Sequence, residues 1–147
     1  MNGRADCKGT LIIGYGNSLR RDDAVGLLAA GRLSGCGYNA LAVAQLTPEL
    51  ACPIAEARSV VFVDADVAVA AGDVAVVRVD SSSDEPAPGH FAGPAGLLRL
   101  AREVYGATPE AWLVSLGGRD YDLGHGVTFE ARRAVRRAVR EVRRLCA

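Results

Sequence analysis

Leu11-Ile12-Ile13-Gly14-Tyr15-Gly16-Asn17-Ser18-Leu19-Arg20-Arg21-Asp22-Asp23 decides the fold of this chain. Leu11-Ile12-Ile13 is apolar without alternation, the pattern of a strand covered on both faces. It empties into a short Gly/Asn/Ser loop. Two acids then open a helical run, Ala24-Val25-Gly26-Leu27-Leu28-Ala29-Ala30. A carboxylate at a helix start is stabilised as the anion by free backbone N–H groups and the positive end of the dipole. Such a group suits a cation as an oxygen ligand and repels a phosphate. On local grounds Asp22 reads as an N-cap and Asp23 as a first-turn acid.

Four more strand-like runs follow, at 39–44, 59–64, 74–79 and 111–116, after the first at 10–15. Between them lie helical stretches. The one opened by Asp22-Asp23 ends near Leu33, before Gly35. A second follows Thr47-Pro48, with Thr47 its expected cap, Pro48 at its first position and Pro53 expected to kink or delay it. A third runs from near Pro94 to Tyr105 and stops at Gly106. The last starts at Thr128 and continues to the C-terminus. The Ser-, Pro- and Gly-rich segment 81–93 reads as one irregular loop. Strands alternating with helices predict an α/β fold with a mostly parallel sheet. The connection 66–73 is too short for a helical crossover, so the fourth strand is expected antiparallel.

The 147 residues predict one domain, 1–147, large enough for its own core. Seventeen basic residues balance seventeen acidic ones, which argues against a general polyanion binder. Seven arginines nevertheless crowd between Arg132 and Arg144. Val135, Ala138, Val139, Val142 and Leu145 fall on one stripe of that helix, so the arginines read as its solvated face. Cys7, Cys36, Cys52 and Cys146 show no metal or redox spacing and are expected to be reduced, mostly core-filling residues. No run has signal-peptide or membrane-spanning character. A cytoplasmic monomer binding neither nucleic acid nor membrane is the expectation.

In open α/β sheets, ligands bind beyond the carboxyl ends of the strands. Asp23 follows the first strand there, and Asp64 ends the apolar run Val60-Val61-Phe62-Val63. Asp66 shares its parity and reads as loop surface. His90, in Pro88-Gly89-His90-Phe91, is one of two histidines. Two carboxylates and an imidazole on separate loops match a transition-metal site with open positions, and nickel, zinc, iron and manganese all suit that set. His125, between Gly124 and Gly126, is the competing imidazole and is expected at the rim or in solvent. Asp23 and Asp64 are also the candidate catalytic groups, one of them a general base. No serine or cysteine stands in a nucleophile motif.

Three stretches together resemble the [NiFe]-hydrogenase maturation endopeptidases. They are Gly14-Tyr15-Gly16-Asn17-Ser18-Leu19-Arg20-Arg21-Asp22-Asp23-Ala24-Val25-Gly26, then Gln45-Leu46-Thr47-Pro48-Glu49-Leu50-Ala51 leading to Asp64-Ala65, and Ser115-Leu116-Gly117-Gly118-Arg119-Asp120-Tyr121-Asp122-Leu123-Gly124-His125-Gly126-Val127-Thr128. The resemblance implies a three-layer sandwich with a twisted five-stranded sheet between helices. It implies removal of a C-terminal extension from a hydrogenase large-subunit precursor after nickel loading. It places the metal-contacting positions on Asp23, Asp64 and His90, the nickel arriving with the substrate and zinc or another divalent ion able to substitute. Gly14, Gly16 and Asn17, with Gly117 and Gly118 across the crevice, are then the loops where backbone approaches the substrate tail.

Two other readings compete with this one. Phe91-Ala92 after His90 departs from the family pattern and leaves room for a relative that docks on a metalloprotein without cutting it. Gly14-x-Gly16 also suggests a dinucleotide site, but Leu19 stands where the third glycine belongs, and Asp22-Asp23 would repel a pyrophosphate.

Overall fold

The computed structural model describes residues 9–81 and 93–147. The elements are β1 (Thr10–Tyr15), α1 (Val25–Gly35), β2 (Ala40–Val43), α2 (Ala51–Glu56), β3 (Ser59–Ala65), β4 (Val74–Arg78), α3 (Gly93–Tyr105), β5 (Glu110–Leu116) and α4 (Phe129–Cys146). The strands form one sheet in the order β2-β1-β3-β5-β4. All neighbours are parallel except β4, which runs antiparallel to β5. This is the α/β sheet expected from the pattern, including the reversed strand after the short connection.

Strand period sorts the core. Ile12, Val61, Val63, Val114 and Leu116 face α1 and α4. Leu11, Ile13, Val60, Phe62 and Ala111 face α2 and α3. Because β1 and β3 are covered on both sides, their runs are apolar at every position and cannot alternate. α4 buries Ala131, Ala134, Val135, Ala138 and Val142 along one stripe and leaves its arginines outside, as its periodicity predicts. Thr128 caps it, accepting from the Ala131 N–H at 3.2 Å.

Three local expectations differ. Asp22-Asp23 do not open the α-helix directly: Arg21–Ala24 form a 3₁₀ turn and the α-helix starts at Val25. Pro48–Leu50 are likewise a 3₁₀ turn before α2, and Thr47 makes no side-chain cap. Among the described cysteines only Cys146 is buried, whereas Cys36 and Cys52 are exposed, so core filling describes one of the three. Cys7 and most of the expected 81–93 loop lie outside the described residues.

One contact sets the site's geometry. A Cβ added to Gly26 of α1 would lie 2.4 Å from the Tyr15 carbonyl oxygen and 2.5 Å from that of Val63. A Cβ on Gly14 would meet the Gly26 carbonyl oxygen at 2.0 Å. Only glycine at both positions lets α1 lie directly on the carboxyl ends of β1 and β3. Gly26→Ala is therefore expected to lower stability by about 2–4 kcal/mol, through overpacking against backbone that cannot move aside. Gly31, on the same helix, has open space where its Cβ would go. Gly31→Ala should leave stability unchanged or raise it by up to about 1 kcal/mol through helix propensity. Urea unfolding of both variants checks this, and equal midpoints would refute it.

Candidate functional site

The chain leaves β1 toward β2 on one side and returns to β3 on the other, so the sheet's topological switch point lies between β1 and β3. Gly14 is level with Val63. The next rung therefore brings Tyr15 level with Asp64, and parity puts both side chains on the α2/α3 face. The Tyr15 hydroxyl donates to the Asp64 carboxylate. The Ala65 N–H donates to Asp64 Oδ1 at 2.8 Å.

Burial pushes the Asp64 carboxyl up to about 6, with the negative charges of Asp23 and Asp66 adding to it against the hydrogen bonds from Ala65 and Tyr15. Burial, and then the Asp64 charge and hydrogen bond, push the Tyr15 hydroxyl far above the ordinary phenol range. Asp23 reaches this point from the 3₁₀ turn, and the Asn17 N–H donates to its Oδ2 at 2.8 Å. Asn17 Oδ1 accepts from the Leu19 N–H at 2.9 Å, which folds the loop back toward that carboxylate.

Asp22 has a different role from the cap read locally. It is fully buried, and its side chain caps no helix N-terminus of its own. Its Oδ2 accepts from the Arg119 N–H (2.7 Å), the Asp120 N–H (2.9 Å) and the Thr128 hydroxyl (2.7 Å). Oδ1 accepts from the Thr128 N–H at 2.8 Å. Burial alone would raise its pKa; the four hydrogen bonds outweigh burial and hold it below the ordinary carboxylate value. Asp22 thus fastens the loop after β5 to the loop after β1.

Arg21 works beside it, pairing with Asp120 and donating from Nε to the Gly126 carbonyl at 3.3 Å. Its backbone sits at φ +37°, a left-handed conformation costing a non-glycine residue about 1–2 kcal/mol, which these contacts offset.

The glycines expected to admit a substrate tail are each required by the chain itself. Added Cβ atoms would meet Asp23 O at 2.1 Å from Gly16, Ala70 O at 1.9 Å from Gly117, and Asp22 Cβ at 2.6 Å from Gly118. Their glycine character reflects internal packing around the crevice.

Tyr121, missed in the sequence, closes the same end. Its hydroxyl oxygen accepts from the Gly118 N–H at 2.8 Å. Burial and the charges of Asp22, Asp23 and Asp66 raise its pKa against that hydrogen bond. No local pattern identifies it, and Tyr15 meets Asp64 only through the register of β1 against β3.

The structure thus brings Asp23 and Asp64 together. His90 lies outside the described residues, and His125 is exposed. Among the described residues no three His, Cys, Asp or Glu side chains group as a metal site. The two acids nevertheless fit a cation, because one is half-buried and its charge is opposed by the other. Among the described residues no helix is long and apolar enough to cross a membrane.

The mostly parallel five-stranded sheet with one reversed edge strand is a fold that solved structures share. The chain is similar to the [NiFe] hydrogenase maturation protease HybD from Thermococcus kodakarensis, at 24% identity and TM-score 0.72 over 94% of this chain and 99% of that one. It is similar to the hydrogenase maturating endopeptidase HybD from E. coli, at 21% identity and TM-score 0.66 over 90% and 88%. It also resembles a hydrogenase 2 maturation peptidase from a Thaumarchaeota archaeon, at 22% and TM-score 0.70 over 94% and 97%. The fold is that of the hydrogenase maturation proteases. No protein-family model and no curated protein matches the sequence.

Proposed function

We propose that this chain is an endopeptidase that removes the C-terminal extension of a nickel-loaded [NiFe]-hydrogenase large-subunit precursor. The observation carrying this reading is the opposition of Asp23 and Asp64 at the switch point of a maturation-protease fold. In this reading nickel is part of the substrate, carried in the precursor's own active centre. Asp23 and Asp64 hold it, with His90 as the proposed third ligand. The ion supplies Lewis acidity toward the scissile carbonyl or a water.

The chain's own residues do the rest. Tyr15 orients the Asp64 carboxylate, and Asn17 orients that of Asp23. Tyr121 has a hydroxyl proton to donate at the same end of the sheet. An acidic pocket that repels itself waits for a cation, which explains why an unloaded precursor would go uncut. Leu19 and Leu123, 57% and 72% exposed, stand on the loops at this end and Phe129, 72% exposed, at the start of α4, and the Gly124 N–H bonded to the Leu19 carbonyl at 2.9 Å ties the two loops together. Apolar side chains so placed suit docking of a folded partner.

The test is incubation with nickel-loaded and nickel-free precursor, followed by mass spectrometry. The wild-type chain should shorten only the loaded form, and Asp23→Ala should slow this by about 10²-fold or more. A stable complex without mass change would instead identify a docking module. Full cleavage by Asp23→Ala, Asp64→Ala and His90→Ala alike would overturn the mechanism.

A further inference from the structure

We propose that the outer edge of β4, together with the arginine row of α4, takes up an extended acidic segment of a partner protein as a sixth strand of the sheet. β4 is the last strand in the order, pairing only with β5. Two ladder bonds define its polarity: Gly117 N–H to Asp73 O and Val79 N–H to Ala111 O, both 2.9 Å. Antiparallel bonding alternates, so residues 73, 75, 77 and 79 bond inward. The N–H and C=O groups of Val74, Val76 and Arg78 therefore point away from the sheet. No backbone group of the described residues hydrogen-bonds to them.

Native edge strands are protected by charge, proline or a bulge. Val74-Ala75-Val76-Val77 carries none of these, and Val76 and Val77 are exposed on opposite faces. Arg78 is drawn back over β5, paired with Glu110 at 3.2 Å and lying 5.5 Å over the Trp112 ring.

Charge selects the occupant. On the α4 side the edge opens into a groove of about 380 Å³ lined by Val74, Val76, Arg137, Arg140, Glu141 and Arg144. Arg137 is held by Asp73 at 3.0 Å and Arg144 by Glu141 at 3.4 Å. Among the described residues Arg140 has no acidic partner. A second copy pairing edge to edge would offer Arg140 another arginine-lined groove whose acids are already engaged, so its charge would stay unmet. A strand carrying carboxylates toward α4 and apolar side chains toward Val77 satisfies both faces at once. Its period of two demands alternating acidic and apolar residues.

The probe is a short fluorescein-labelled peptide alternating glutamate and valine, followed by fluorescence anisotropy with the full chain. It should bind the wild type. Binding should weaken about tenfold or more for Arg140→Glu, or when alternate peptide amides are N-methylated, and should fade with salt. Val76→Pro removes an outward N–H without touching the ladder to β5 and should act likewise, its fold checked by thermal unfolding. Absence of binding to the wild type overturns the proposal, as does equal binding of the lysine-for-glutamate peptide. Undiminished binding of the N-methylated peptide overturns strand addition, since charge attraction alone would then account for the complex.

Discussion

Asp22→Ala is expected to destabilise the fold by about 3–5 kcal/mol, the range for removing one partner from a buried, charge-assisted network. Three backbone N–H groups and the Thr128 hydroxyl would lose the fully buried carboxylate that accepts from them. Each such orphan costs about 1 kcal/mol or more. Asp22→Asn should cost less, about 2 kcal/mol, because one oxygen still accepts while the amide NH₂ meets a donor. Urea unfolding measures both, and an alanine variant within about 1 kcal/mol of wild type would show that this network is not what holds the loops.

The sign with pH follows from the lowered pKa of Asp22. Its contribution is fully present above the unfolded carboxyl value and is lost as pH falls through the lower folded value. The alanine variant's deficit should therefore shrink in acid. Hydrogen exchange of the alanine variant should show the 118–128 segment loosening first, since the Asp22 carboxylate supplies four of its hydrogen bonds to the rest.

Asp64→Asn should reduce precursor cleavage by about 10²–10⁴-fold, the usual weight of a group that binds or transfers protons at a reacting centre. The same change should stabilise the substrate-free protein by roughly 1–2 kcal/mol at neutral pH, once solvent screening of a half-buried group is allowed for. Here the pKa is raised, to about 6, so the native state holds this proton more tightly than the unfolded chain. The wild type accordingly loses stability as pH climbs from the unfolded carboxyl value through about 6, and the asparagine variant should not show that loss.

Cation uptake needs the ionised form. Cleavage by the wild type should therefore fall about tenfold per pH unit below that value. A variant that loses activity and stability together would make Asp64 a structural residue, contrary to the site proposed. A gain in stability with loss of cleavage is the expected pair, because a functional acid kept among acids is held there at a cost to the fold.

Much of the architecture could be read along the chain. Leu11-Ile12-Ile13 and Val60-Val61-Phe62-Val63 had to be strands buried on both faces, and the short 66–73 connection had to reverse β4. Thr128 announced the last helix and the valine stripe its buried face. The candidate acids were legible too, because Asp23 and Asp64 stand where loops leave the strand ends of an α/β sheet.

Local reading failed where the partner is distant. Asp22 resembles a cap in its own neighbourhood, yet its hydrogen-bond donors come from 97, 98 and 106 residues away. Gly14, Gly16 and Gly117 each lie against the chain's own backbone and Gly118 against the Asp22 side chain, contacts that no local pattern announces.

Sequence alone determined the order and kind of the elements, the reversal of β4 and the acids at the strand ends, because periodicity, loop length and strand termination act within a few residues. Tertiary structure decided which of two adjacent aspartates is buried as a fastener and which faces the crevice. It also decided that Tyr15 and Tyr121 join that crevice and that β4 presents an open edge beside arginines. Those outcomes depend on strand register and on how closely α1 lies on the sheet, which are set by packing between segments far apart in the chain.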